Sequence, residues 1–413
     1  MNVRREAGQR QEPADVGGRH ALLLERLDTS CHPWRGAREY RQQDMITAHA
    51  DVVGSLLRPP WLLAAQERLR TGQITRPAYK AIEDRAVDEA VALQEEAGLA
   101  VLTDGEMRRL SFQSQMVQAI EGFGEWDLDA FLWGDWHGDE AIGDWRGERP
   151  KELAVVAPLR RRRSLSAEEF VYLRGRTDQT PKVTLPSPGL FANFWSPERS
   201  RGAYGSLAAF LEDVARILRE EVEELAEYGA TYIQLDAPHY PLLLDPETRA
   251  FYEAQGWSLE EWLDLGVALD NEVMAGIDGV TFGLHLCRGN QGSRWLVSGD
   301  YGPIARPIFQ RTAAHRLLLE YDDARSGGFE PLRHVPDDKM VVLGLITTKR
   351  GERENPDELV ARIDEASGYI DRERLALSPQ CGFGTSIVGN QLTHDQQAAK
   401  LRLVCDVAAK VWG

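Results

Sequence analysis

The sequence predicts an α/β protein, a TIM (β/α)8 barrel with an insertion between strands 2 and 3 and a flexible N-terminal leader. Three observations predict it. Eight short runs rich in Val, Leu and Ile recur along the chain, amphipathic helix-like stretches separate most of them, and turn residues bound the units. Strand alternating with helix implies parallel strands covered on both faces, and eight such units close a cylinder.

Residues 1–44 are rich in Arg, Gln, Glu and Gly without sustained periodicity and read as a disordered leader, and residues 45–413 as a single catalytic barrel. The ordered pattern begins at once after Met45 with AHADVVGS, which makes Met45 a candidate start. The eight runs are ADVVGS (50–55), LAVLTDGE (99–106), KVTLPSP (182–188), TYIQLDAP (231–238), VTFGLHLC (280–287), RLLLEYDD (316–323), MVVLGLITTK (340–349) and RLALSPQC (374–381). Helix-like stretches such as YKAIEDRAVDEAVALQEEAG and LAAFLEDVARILREEVEELAEYG end on glycine, a common helix stop. Residues 123–180 break the rhythm: Trp126, Trp133, Trp136 and Trp145 sit among Gly and Asp, the pattern of an insertion. It reads either as a hairpin or lid over a site or as a peripheral, oligomer-contacting excursion.

Lys and Arg number 48 against 65 Asp and Glu, a formal net charge of −17. Nucleic acids and anionic membranes need a basic face, so neither is an expected partner. Four scattered cysteines in 413 residues do not make a disulfide framework, and the N-terminus has no apolar stretch of a secretory signal. No later window is apolar for long enough to span a bilayer. The expectation is a cytoplasmic protein with small-molecule partners.

The unusual polar residues gather at the C-terminal ends of the runs: Ser55 and Arg58, Asp104 and Glu106, Ser187, Asp236 and His239, His285 and Cys287, Glu320, and Cys381. In a barrel these ends share the rim where active sites are built. His285 and Cys287, two apart in an extended run, point the same way. With Glu320 and Cys381 they form a candidate metal set whose sulfurs, imidazole and carboxylate suit tetrahedral zinc. The plainer alternative is a buried cysteine beside a hydrogen-bonded histidine.

The blocks VVGSLLRP, LTDGEM, YIQLDAP, HLCRGN, LLLEYDD and SPQCGFGT stand in the order found in one family. From about residue 49 to the end, the chain resembles the C-terminal catalytic barrel of cobalamin-independent methionine synthase. The resemblance implies that His285, Cys287, Glu320 and Cys381 are zinc ligands, with Glu320 the one able to yield. It implies that Ser55, Glu106 and Asp236 hold an amino-acid thiol, the carboxylates taking its ammonium group. The implied activity is a methyltransferase of the 5-methyltetrahydropteroyltriglutamate–homocysteine type, in methionine biosynthesis, drawing on methylfolate, a methyl-corrinoid or a corrinoid protein. The chain is too short for the second, N-terminal barrel of the full-length enzyme and reads as the single-barrel core form.

Where the folate-dependent enzymes place a pterin-stacking aromatic after the third strand, this chain reads VTLPSPGLFANFW, with Pro186 and Ser187 there and Trp195 or Phe194 as the candidates to substitute for it. Single-barrel relatives include epoxyalkane–coenzyme M transferases, so thiol alkylation with another electrophile is the alternative, and a non-enzymatic zinc- or thiol-binding barrel a second. Among the remaining polar residues, Arg58 could clamp an anionic substrate group and Asp104 share the face of Glu106. His239 is a candidate catalytic proton relay, Lys349 could point at the site, and Cys405 reads as helix packing.

Overall fold

Runs that are apolar on both faces have no side to give to water, so they fold only as strands covered on both faces. A computed structural model describes residues 45–413 apart from 255 and 256; the expected leader lies outside the described residues. Its strands are β1 (Val101–Leu102), β2 (Ile120–Phe123), β3 (Gly134–Trp136), β4 (Trp145–Gly147), β5 (Val155–Arg161), β6 (Thr180–Pro186), β7 (Tyr232–Asp236), β8 (Thr281–Leu286), β9 (Arg316–Glu320), β10 (Met340–Ile346) and β11 (Leu375–Pro379). Seven of them form one parallel sheet in the order β1-β6-β7-β8-β9-β10-β11.

The eighth position belongs to the first run, which is extended but not a regular strand. Ala50 bridges Leu377 in parallel, and Asp51 N donates to Leu377 O at 2.9 Å. On its other flank Leu56 N reaches Gly105 O at 3.0 Å, and the Thr103 hydroxyl donates to Gly54 O at 2.6 Å. The run therefore sits between β11 and the chain after β1, and the cylinder closes through these bonds. A Cβ at Gly54 would stand 2.8 Å from Glu106 Oε1 and 3.0 Å from Thr184 Cγ2, so a larger residue there would displace the Glu106 carboxylate. β1 is short because the Gln94 side chain takes both backbone groups of Thr103, its Oε1 accepting at 3.0 Å and its Nε2 donating at 2.8 Å.

Helices cover the outside. Leu207–Glu227 starts at Ser206, whose hydroxyl caps Ala209 N, and buries Phe210, Leu211, Val214, Ile217 and Leu218. At the opening where the strands begin, Asp51 accepts from Lys182 Nζ at 3.0 Å and Tyr232 Oη at 2.7 Å, with Arg316 Nη2 at 3.3 Å. All four residues are buried. Burial would raise the Asp51 pKa, but Lys182 and Arg316 outweigh it and hold the carboxyl below its ordinary value.

The insertion lies between β1 and β6, as expected. β2 pairs with β5, and β3 and β4 form a hairpin in which Trp136 faces Trp145. The hairpin is tied to the loop after β8: His137 bridges Trp295, and Arg294 donates to Gly143 O at 2.8 Å and Ile142 O at 2.9 Å. That places it over the barrel rim, the first of the two arrangements the sequence allowed. Among the described residues no helix is long and apolar enough to cross a membrane.

Candidate active site

The strand ends converge as the sequence predicts, though not every candidate faces inward. His285 and Cys287 lie at the end of β8 with side chains on one face, and Cys381 follows β11. Cys287 and Cys381 place their sulfurs 3.4 Å apart, and one donor atom from each of His285, Cys287 and Cys381 fits within 4.8 Å of the others. A tetrahedral zinc at about 2.3 Å from each sulfur would set them about 3.8 Å apart, so the donor set fits that ion. The contact with Cys381, then burial and the nearby Glu320 carboxylate, push the Cys287 thiol well above its ordinary pKa. A cation between the sulfurs reverses that penalty.

Behind the imidazole, His285 Nδ1 lies 3.0 Å from Asp236 Oδ1, which also accepts from Gln234 Nε2 at 2.7 Å. His285 Nε2 is 3.4 Å from the carbonyl of Gln380, the neighbour of Cys381. Burial would lower the His285 pKa, but Asp236 overrides it and raises it. A carboxylate on one ring nitrogen fixes the ring so that the other can serve a metal.

Glu320, the fourth expected ligand, is not part of this group. Its Oε2 accepts from Arg288 N at 2.8 Å, and its Oε1 lies 3.0 Å from Lys349 Nζ and 3.2 Å from Arg325 Nη2. Burial works against the charge, yet Lys349, Arg325 and Arg288 bring its pKa down to about 2. The sequence carried the signal for this in Arg288, Arg325 and Lys349, the last of which does point here.

Glu106 lines the same cavity as the His–Cys–Cys group. It sits at φ +55, a left-handed conformation rare for a non-glycine side chain. Its Oε1 accepts from Thr184 Oγ1 at 2.7 Å, while Oε2 is buried without a hydrogen-bond partner. Burial raises its pKa to about 7, with Arg109 pulling it down and Asp236 pushing it up. Ser55 also lines the cavity, against a glycine at 382 whose Cβ would lie 2.0 Å from the serine oxygen.

Four candidates are not among the residues that line the cavity. Arg58 donates only to backbone carbonyls, those of Leu56 (3.2 Å), Glu106 (2.7 Å), Arg109 (3.2 Å) and Gly384, and so braces the loops rather than clamping an anion. Asp104 turns back to accept from Glu106 N at 2.8 Å. His239 is fully buried against Tyr240, ring centroids 4.0 Å apart, and burial depresses its pKa to about 3, so it is not placed to relay a proton. Ser187 donates to Asp270 at 2.5 Å. Phe194 and Trp195 are core residues and offer no stacking surface there.

The cavity measures about 1350 Å3. His285, Cys287, Cys381, Asp236 and Glu106 share it with Ser111, Phe112 and Gln113 of the loop after β1, and with Phe131, Trp133, Trp136 and Trp145 of the insertion. The tryptophans among Gly and Asp marked the insertion in sequence; Ser111, Phe112 and Gln113 carried no pattern that set them apart.

The family described as "Cobalamin-independent synthase, Catalytic domain" matches residues 45–410. Protein YxjG of Bacillus subtilis, whose name describes it as uncharacterized, is 35% identical over 367 residues, covering 88% of this chain and 94% of its own. A methionine synthase of Pyrococcus abyssi is 27% identical over 334 residues, 80% of this chain and 85% of its own. A Listeria monocytogenes crystal structure, provisionally described as a vitamin-B12 independent methionine synthase, superposes with a TM-score of 0.68 at 26% identity, covering 89% of this chain and 99% of that one.

Proposed function

Because the chain belongs to the cobalamin-independent synthase catalytic-domain family, and is a methyltransferase on that ground, we propose that it is a zinc-dependent thiol S-methyltransferase that makes methionine from homocysteine or methylates a similar thiol. One observation carries the reading. His285, Cys287 and Cys381 meet within 4.8 Å on the wall of a large cavity that Glu106 and Asp236 also line.

His285, Cys287 and Cys381 would hold the ion. Zinc bound there supplies a positive centre that keeps a thiol sulfur deprotonated and nucleophilic near neutral pH. Asp236 holds the His285 ring through Nδ1 and fixes which nitrogen is left for the metal. The unpartnered Oε2 of Glu106 suits an ammonium group, because a buried carboxylate oxygen without a donor gains most from a charged one. We assign Ser55, which lines the same cavity, to the substrate carboxylate. Glu320 serves as counter-ion to Lys349 and Arg325, which leaves the fourth donor position to the incoming sulfur.

The test is to load the chain with one equivalent of zinc and assay methionine formation from homocysteine with methylfolate, a methyl-corrinoid, sulfonium donors and epoxides in parallel. Zinc-dependent consumption of homocysteine, with a methyl group appearing on sulfur, is the expected result. A chain that binds no zinc, or that alkylates thiols equally well without it, contradicts the reading.

A further inference from the structure

Resting on the thiol-methyltransferase reading, we propose that the methyl donor is a small onium cation, a sulfonium or quaternary ammonium compound, bound in the cavity under the tryptophan hairpin. Three features of the wall point to it. The first is aromatic surface: Phe131, Trp133, Trp136 and Trp145 of the insertion and Phe112 of the opposite loop all line the cavity. Aromatic faces attract methylated cations, whose charge is spread over carbon and weakly hydrated.

The second is charge. Apart from Glu106 and Asp236, the cavity is lined by the carboxylates Asp135, Asp144, Glu148, Asp245 and Glu247 against two guanidiniums, Arg146 and Arg149. Arg146 lies 3.3 Å from Asp135, and Arg149 donates to the carbonyls of Leu153, Asn193 and Trp195 at 2.8–3.2 Å; Asp245 accepts from Thr248 N and Asp144 from Gly138 N, neither of which carries charge, so the carboxylates stay in excess. A folate bearing a chain of glutamyl carboxylates would meet a field of its own sign, whereas a cation is drawn in.

The third is a buried acceptor. Gln113 Oε1 and Ser111 Oγ belong to cavity-lining residues only 2% and 1% exposed, and neither atom has a hydrogen-bond partner. Such atoms are costly unless a ligand meets them, and an amide oxygen turns its negative end to a cation.

The transfer balances without a further reagent. The thiol releases its proton to solvent, and its sulfur attacks the methyl carbon. A sulfur–carbon bond forms as the carbon–onium bond breaks, and the bonding pair stays on the departing sulfur or nitrogen, which leaves neutral. The acidic cavity stabilises the positive reactant, and the neutral product is held less tightly.

The experiment titrates tryptophan fluorescence with trimethylsulfonium, with S-methylmethionine and with methylfolate carrying three glutamates, which reads binding without turnover. Saturable quenching by both sulfonium probes is expected, at least tenfold tighter than the folate and weakened by salt. The double variant Glu148→Lys/Glu247→Lys, at two exposed positions, should weaken sulfonium binding roughly tenfold and tighten folate binding. Folate binding as tight as sulfonium binding, absence of sulfonium binding, or a double variant that shifts both ligands the same way overturns the proposal. Methionine formed with methylfolate and not with S-methylmethionine also overturns it, while the thiol reading stands. Sulfonium binding with no thiol methylation by any donor overturns the thiol reading and the donor assignment with it, and leaves only a cation-binding cavity.

Discussion

Below the strands, Asp51 has a donor on each oxygen, from Lys182 and from Tyr232 with Arg316 beside it. Above them, at the other end of the same cylinder, Glu106 keeps one buried oxygen with no partner, and Ser111 and Gln113 do the same. Burial acts on both carboxylates alike, yet their pKa values move in opposite directions: Lys182 and Arg316 outweigh burial at Asp51, whereas at Glu106 burial outweighs the Arg109 guanidinium 3.5 Å from Oε1, and Asp236 adds to it. Buried charge answered inside the chain stabilises a fold; buried charge left unanswered waits for a ligand. The contrast separates the stabilising end of the barrel from the reacting end without reference to any relative.

The sharpest way to break the contrast is to remove a ligand at the rim. Cys381→Ser should lose stoichiometric zinc and, on the order of, 1000-fold in thiol methylation, while circular dichroism and the unfolding midpoint stay near wild type. Retained activity in the metal-free variant would show that the sulfurs are structural. Next, Lys182→Met at the bottom should cost about 3–5 kcal/mol in chemical denaturation, because it strands the buried Asp51 charge. The KM for homocysteine of the folded fraction should not change, and a shift in KM with no loss of stability would erase the division between the ends.

Smaller effects sharpen it. Glu106→Gln should raise the KM for homocysteine roughly tenfold or more, as expected on losing a buried charge-assisted contact. In the wild type the carboxylate, whose pKa is about 7 and which faces Arg109, Arg58 and Asp236, becomes charged as the pH rises. KM should therefore fall by about tenfold from pH 6 to pH 8. A thiol without an amino group should show no such fall, and an identical fall with that thiol would remove Glu106 from the ammonium site. The stability effect is smaller still and has the opposite sense to that of Asp51. A carboxyl with a raised folded-state pKa binds its proton more tightly when folded, so its contribution is lost as pH rises from the ordinary carboxylate range through about 7. Asp51, lowered in the fold, contributes above the ordinary range and loses it as pH falls. Glu106→Gln should accordingly raise the thermal midpoint by a few degrees at pH 8 and leave it unchanged at pH 4, measured without metal.

The barrel was legible because two-sided apolar runs and glycine-closed helices are local signals, and all eight runs take their places in the cylinder. The His285, Cys287 and Cys381 meeting was legible for the related reason that strand ends share a rim. What was not legible depends on side-chain direction. Arg58 and Asp104 sit beside site residues in sequence but turn to backbone groups, and His239 turns into the core. Glu320 stands at the predicted strand end, yet Arg325 five residues on, with Arg288 and Lys349 from other strand ends, decides what it touches, and the presence of those residues in the sequence does not say where their side chains turn. Ser111 and Gln113 matter only because nothing in the chain bonds certain of their atoms, a property no spacing can reveal.

Thiol activation at the rim needs a metal held by His285, Cys287 and Cys381, and zinc-edge X-ray absorption of the metal-loaded chain, with and without homocysteine, tests this most directly. Two sulfur neighbours and one imidazole nitrogen are predicted before addition and three sulfur neighbours after it. A first shell of nitrogen and oxygen alone, or two sulfurs with no change when the thiol is added, would contradict it.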